Sequence, residues 1–117
     1  MANTNGPAYW LKKIYLAVSG GVAPINTGTP SEPTPIAVAT TTTDVLAANA
    51  SRKYLQLIND SDTTIYVSID GGNAVLNTGT RLNANGGSAV WDTYIPVGTV
   101  KAIHGSTGTK TLLVTEG

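Results

Sequence analysis

The chain has 117 residues, seven Lys and Arg against seven Asp and Glu, one His and no Cys. That length suits one domain with an extension, and the missing cysteine excludes disulfides and thiolate metal sites. A charged fraction of 12 % with zero net charge gives no basic footprint for nucleic acid and little colloidal protection, so the chain suits an assembly better than free solution.

No apolar run approaches the ~20 residues needed to span a bilayer, and no membrane partner is expected. The opening "MANTNGPAYW" lacks a basic stretch followed by an apolar one and does not read as a signal peptide. Thr, Gly, Ala, Val and Asn are abundant and Phe is absent, a composition that favours strands and tight turns over helices.

Residues 8–18, "AYWLKKIYLAV", lie between Gly6-Pro7 and Gly20-Gly21. As a strand they place Trp10, Ile14, Leu16 and Val18 on one face, with Lys12 intruding; as a helix they place Leu11, Ile14, Tyr15 and Val18 in a stripe. Eleven residues are marginal for a helix without support, so the extended form is preferred. Five of the six prolines fall in residues 1–35, four of them in "APINTGTPSEPTPI". That stretch lacks the N–H groups for a regular ladder and reads as extended linker. Residues 1–35 are therefore an N-terminal arm and Pro-rich linker, and residues 36–117 a folded domain.

Within that domain "IAVATTTT" (36–43) reads as a Thr-rich strand. "DVLAANAS" (44–51) has room for one helical turn capped by Asp44. "RKYLQLIN" (52–59) alternates, with Leu55 and Leu57 opposite Tyr54, Gln56 and Ile58. "TIYVSID" (64–70) turns Ile65, Val67 and Ile69 inward and Tyr66, Ser68 and Asp70 outward. The "DSDT" between them predicts a hairpin. "DGGN" (70–73) and "NANGG" (83–87) predict turns, with short segments "AVL" and "TRL" between. "SAVWDTYI" (88–95), "TVKAIHG" (99–105) and "KTLLVTE" (110–116) complete the strands, and "GSTGT" is expected to join the last two as a hairpin loop. Six to eight short strands with regular turn signals predict an all-β fold, an antiparallel β-sandwich or small barrel.

Chemistry is sparse. The single His104 would need a nucleophile and an orienting acid for a triad, no GxSxG is present, and a structural role is expected. Asp60 and Asp62 alternate in "NDSDTTIYV" but lack the glycine and distal Glu of an EF-hand loop; turn chemistry accounts for them. The glycines of "DGGN", "NGG" and "GSTG" match no phosphate-binding fingerprint. Arg52-Lys53 with Arg81 reads as solvated strand ends rather than a basic patch. No catalytic residue, cofactor or metal is assigned. Two aromatic groups stand out. Trp91, Asp92 and Tyr94 are a possible surface for sugar or protein, against ordinary core and edge packing. In the arm Tyr9, Trp10, Leu11, Ile14 and Tyr15 need a surface to bury against, and a neighbouring chain is the expected one.

The stretch "ASRKYLQLINDSDTTIYVSIDGGNAVLNTGTRLNANGGSAVW", followed by "YIPVGTVKAIHGSTGTKTLLVTEG", resembles small bacteriophage virion structural β-sandwich proteins of the capsid decoration (cement) or head-fibre type. The likeness covers about residues 50–117 and is one of strand and turn spacing. It implies a non-enzymatic virion protein, most naturally a capsid decoration protein held by its arm to the major capsid protein or other virion subunits. It also implies a homo-oligomer, with a trimer favoured. A neck or tail component, or a carbohydrate- or host-binding module on the virion surface, are the alternatives.

Overall fold

A computed structural model describes residues 31–117, so the readings placed on residues 1–30, including the arm aromatics, lie outside the described residues. The described chain is all-β, with no helix among its residues. Its strands are β1 (Thr34–Val38), β2 (Thr43–Leu46), β3 (Leu55–Asn59), β4 (Ile65–Ser68), β5 (Thr80–Leu82), β6 (Ser88–Trp91), β7 (Val100–His104) and β8 (Lys110–Glu116). They form two four-stranded antiparallel sheets, in the orders β1-β8-β3-β6 and β2-β7-β4-β5. Two such facing sheets, wound as paired Greek keys, are a jelly roll.

The strands form where apolar residues recur at every second position, which turns one set of side chains toward the facing sheet. Leu55 and Leu57 on β3, Ile65 and Val67 on β4, Val100 and Ala102 on β7, and Leu112 and Val114 on β8 meet in one core with Val38, Val45 and Leu82. Fully burying each Leu, Ile or Val contributes about 1.5–3 kcal/mol. The inward and outward sets expected for β3 and β4 are those observed. β1 begins at Thr34 and includes Pro35, which is tolerated because β1 is an edge strand with a ladder on one side only.

The pairing partners differ from expectation. Six of the seven connections pass from one sheet to the other, and only β4–β5 stays within a sheet. The segments expected to be hairpins, β3–β4 through "DSDT" and β7–β8 through "GSTGT", are both crossings. Alternation specifies which side chains point inward; two strands facing each other across a core carry the same pattern as two strands side by side. The expected single strand 36–43 is divided between the sheets. Its break lies at 39–42, where Ala39 N–H donates to Thr43 Oγ1 at 3.0 Å and the Thr43 hydroxyl donates to Thr41 O at 2.9 Å, so hydroxyls replace ladder partners. Asp44 is a strand residue facing Lys101 rather than a helix cap. "AVL" forms no strand, and the strand expected over 88–95 ends at Trp91. The "NANGG" turn is present, with Asn85 at φ 61° and Gly86 at φ 104°. A Cβ on Gly87 would fall on the backbone N and O of Asn83, so that turn closes only around glycine.

Four of the crossings are held by the three buried polar side chains found among the described residues, Arg52, Asn59 and His104. Asn59, at the end of β3, donates from Nδ2 to Thr63 O at 2.7 Å and Leu82 O at 3.0 Å, while Oδ1 accepts from Ser61 Oγ at 2.6 Å. His104, at the end of β7, accepts Ser106 N–H on Nδ1 at 3.1 Å and meets Gly108 O with Nε2 at 2.8 Å. A carbonyl only accepts, so Nε2 carries the proton and the ring is neutral.

Arg52 departs from the solvated strand end expected of it: its side chain is fully buried. Nε donates to Glu116 Oε2 at 2.9 Å, Nη1 to Pro96 O and to Gly98 O at 3.1 Å, and Nη2 to Ala47 O at 2.8 Å. Asn49 Nδ2 holds the other carboxylate oxygen at 3.0 Å. One guanidinium thus joins the β2–β3 loop, the β6–β7 loop and the end of β8.

Arg52→Met should cost about 3–5 kcal/mol, because it leaves the Glu116 carboxylate and three carbonyls without their donor. Glu116→Gln, which keeps an acceptor for Nε, should cost about 1–2 kcal/mol. Urea unfolding with unchanged m-values measures both. Asn59→Ala should cost about 1–3 kcal/mol by the same measurement, since it strips the buried Leu82 carbonyl of its Asn59 donor and removes one from Thr63 O.

Candidate interaction face

The two sheets present different outer faces. On the β2-β7-β4-β5 sheet, Asp44 lies 3.8 Å from Lys101 and Arg81 pairs across from Tyr66. The β4–β5 loop, residues 69–79, straps this face. Asn73 Oδ1 accepts from Lys101 Nζ at 3.3 Å, Ala74 N–H donates to Thr42 Oγ1 at 2.9 Å, and the Tyr66 hydroxyl donates to Asn77 Oδ1 at 2.9 Å. The start of the strap is set by Asp70, whose carboxylate accepts from Ser68 Oγ at 2.7 Å and Gly72 N–H at 2.8 Å. These bonds, the Ser68 hydroxyl first, hold the Asp70 carboxyl below its ordinary range.

Within its strands the β1-β8-β3-β6 sheet turns no charged side chain to its outer face, and exposed Asp60 and Asp92 follow directly on β3 and β6. The register sets Pro35, Leu113, Ile58 and Ser88 in one row and Thr115, Gln56 and Val90 in the next. The other loops bond to one another and to strand ends: the 60–64 loop to Asn59 and Lys110, the 92–99 loop to Asn49 and Arg52. Five large apolar side chains among the described residues are exposed: Val90 at 48 %, Tyr94 at 77 % and Val97 at 45 % on β6 or the loop that follows it, and Val75 at 55 % and Leu76 at 39 % on the strap of the other sheet.

Two of the three candidate surface residues, Asp92 and Tyr94, lie exposed on the loop that follows β6. Tyr94 is solvent-facing on the same loop as Val97, and exposed Asp92 directly follows β6, its carboxylate accepting from Thr93 Oγ1 at 3.3 Å. Trp91 behaves differently. It sits opposite the inward-facing Leu55 and packs on the core, so its ring is committed to the interior and Tyr94 is the exposed ring of the three. Sequence reasoning missed Val90 and Val97, whose signal was present: Val90 alternates outward from Ala89 and Trp91.

The polar grooves lie elsewhere. An open, shallow one of about 430 Å³ is lined by Asp62, Thr63, Tyr66, Leu76, Asn77 and Ser106. Its one carboxylate is already engaged: Lys110 Nζ is 2.8 Å from Asp62 Oδ1, and Thr63 Oγ1 donates at 3.0 Å. Those bonds, Lys110 first, lower the Asp62 pKa. Among the described residues no three His, Cys, Asp or Glu side chains gather as metal ligands. His104 has both ring nitrogens occupied by backbone groups, which leaves no lone pair for proton transfer.

No family model matches this chain, and neither a curated protein nor a solved structure does.

A depressed carboxylate pKa contributes stability above the unfolded pKa, and that contribution is lost as pH falls through the folded value. Lys110→Gln should therefore move the Asp62 titration upward, toward the ordinary carboxylate range, and move the loss of its contribution to higher pH. Carboxyl-carbon NMR titration reads the shift, and the Asp70 titration should stay in place.

Proposed function

We propose that this protein is a non-enzymatic structural component of a bacteriophage particle, a capsid decoration protein anchored through its N-terminal arm to the major capsid protein or other virion subunits. The observation that carries the reading is the outer face of the β1-β8-β3-β6 sheet, uncharged within its strands, with Val90, Tyr94 and Val97 exposed on β6 and the loop that follows it. A protein working alone at zero net charge gains nothing from such a surface, whereas a particle component spends it on contacts.

The rest of the domain supports the same reading. Its buried polar groups are occupied in holding loops to strands, which yields a stiff block. Jelly rolls occur in viral capsid domains, and also in lectins and cupins, so the fold agrees with the reading by analogy alone. The arm brings Tyr9, Trp10, Leu11, Ile14 and Tyr15 on a Pro-rich tether, and many weak attachments on one particle add through avidity.

Removing residues 1–30 leaves every described strand intact. The shortened protein should retain the cooperative unfolding of the full chain yet lose its place in particles, and particles lacking it should withstand heat less well. Quantitative gel analysis of purified particles and a thermal-release assay measure this. Unchanged occupancy together with unchanged heat resistance would reject the decoration role.

A further inference from the structure

We propose that β6 is an acceptor edge, and that the strand it accepts is supplied by residues 8–18 of a second copy of this chain. The inference rests on the reading of the protein as an assembly component and names the recipient of its arm.

A sheet edge offers unpaired N–H and C=O groups, and soluble proteins guard it with proline, charge, bulges or very short strands. Three of the four edges here are guarded. β1 contains Pro35. β2 displays Asp44 and has a register irregularity between Asp44 and Leu46. β5 is three residues long with Arg81 exposed at its centre. β6, "SAVW", pairs among the described residues only with β3, in unbroken register, and has no proline and no charge. Along this edge and just beyond it stand Val90, Tyr94 and Val97, each large, apolar and exposed. An added strand would gain hydrogen bonds from the backbone of β6 and side-chain contact with these residues, the combination that drives β-augmentation.

The occupant follows from the chain that precedes Ser31. Residues 8–18 contain neither proline nor glycine, and in the extended form they place Trp10, Ile14, Leu16 and Val18 on one side. Eleven such residues reach about 36 Å, ample for a four-residue edge of about 13 Å. A second copy is the better donor than the chain's own arm. β1 and β6 are opposite rims of one sheet, so an arm laid on its own β6 would have to return across the whole sheet to reach β1, a long connection that folds avoid. The arm of a second copy has no such return to make. Reciprocal or cyclic exchange of arms closes the assembly.

The test uses the full-length protein in three forms: wild type, Val90→Lys, and Trp10→Ser with Ile14→Ser. Val90 is exposed, so the lysine leaves the core alone, and cooperative unfolding confirms that each variant folds. Sedimentation equilibrium should show wild type self-associating and each variant doing so with a dissociation constant raised about tenfold or more, equivalent to about 1.4 kcal/mol. An equimolar mixture of the two variants should recover a one-to-one complex, because one brings an intact edge and the other an intact arm. Three results would overturn the proposal: a wild-type monomer at every concentration, wild-type association by Val90→Lys, or a mixture that fails to complement. A monomer whose outward β6 amides are protected from hydrogen exchange only while the arm is intact would place the chain's own arm there, and that also overturns it. Particle loading separates this inference from the broader reading. If removing residues 1–30 abolishes loading while Val90→Lys leaves both loading and association unchanged, the edge assignment fails and the decoration role stands.

Discussion

The guanidinium of Arg52 is the interaction on which the geometry of this domain most depends. A jelly roll with six of seven connections crossing between sheets has few local hairpins to organise its ends, and something must fix where each crossing lands. Arg52 does so for the β2–β3 and β6–β7 loops and for the end of β8, through bonds to Ala47, Pro96, Gly98 and Glu116. Burying a charge is costly unless every donor is used and a counter-charge is near; here the carboxylate of Glu116 supplies the counter-charge. The β6–β7 loop it anchors carries Tyr94 and Val97, so the same side chain that closes the core also sets the position of these exposed residues.

Asn59 and His104 repeat this logic on a smaller scale. Each ends a strand, each is fully buried, and each directs its polar atoms into the loop that leaves the strand. The polar chemistry of the interior is therefore structural. What remains for contact with other molecules is surface, and among the described residues the two faces differ: one sheet is strapped by the β4–β5 loop and carries charge, the strands of the other present none. An asymmetry of that kind orients a block in an assembly without any pocket.

Much of the architecture was legible in the sequence. The alternation of Leu55 and Leu57, and of Ile65 and Val67, gave the buried sides of β3 and β4, and Asn85-Gly86 marked a turn whose φ values require such residues. Partner choice was not legible, because the side-chain period is blind to whether the next strand lies alongside or opposite. Arg52 was misjudged for a related reason. A basic residue at the start of a strand looks solvated until loops distant in sequence, at Pro96 and Gly98, fold over it. Of the candidate surface trio, Tyr94 faces solvent whereas Trp91 is drawn inward by the parity it shares with Leu55. The arm residues, Tyr9 to Tyr15, lie outside the described part, and their role rests on sequence and on the open edge.

The strand order has one more consequence, for how the molecule comes into being. β8 is hydrogen bonded to β1 and β3, and β7 to β2 and β4, so in each sheet one of the two interior strands follows all that sheet's other strands in the chain. Until β7 and β8 emerge from the ribosome, β1 and β2 have no neighbours in their sheets and the core stays open. The pairing of β1 with β8 and of β2 with β7 is therefore non-local, and non-local pairing of this kind closes slowly. Until then β3 and β6, already made, stand without β8 beside them.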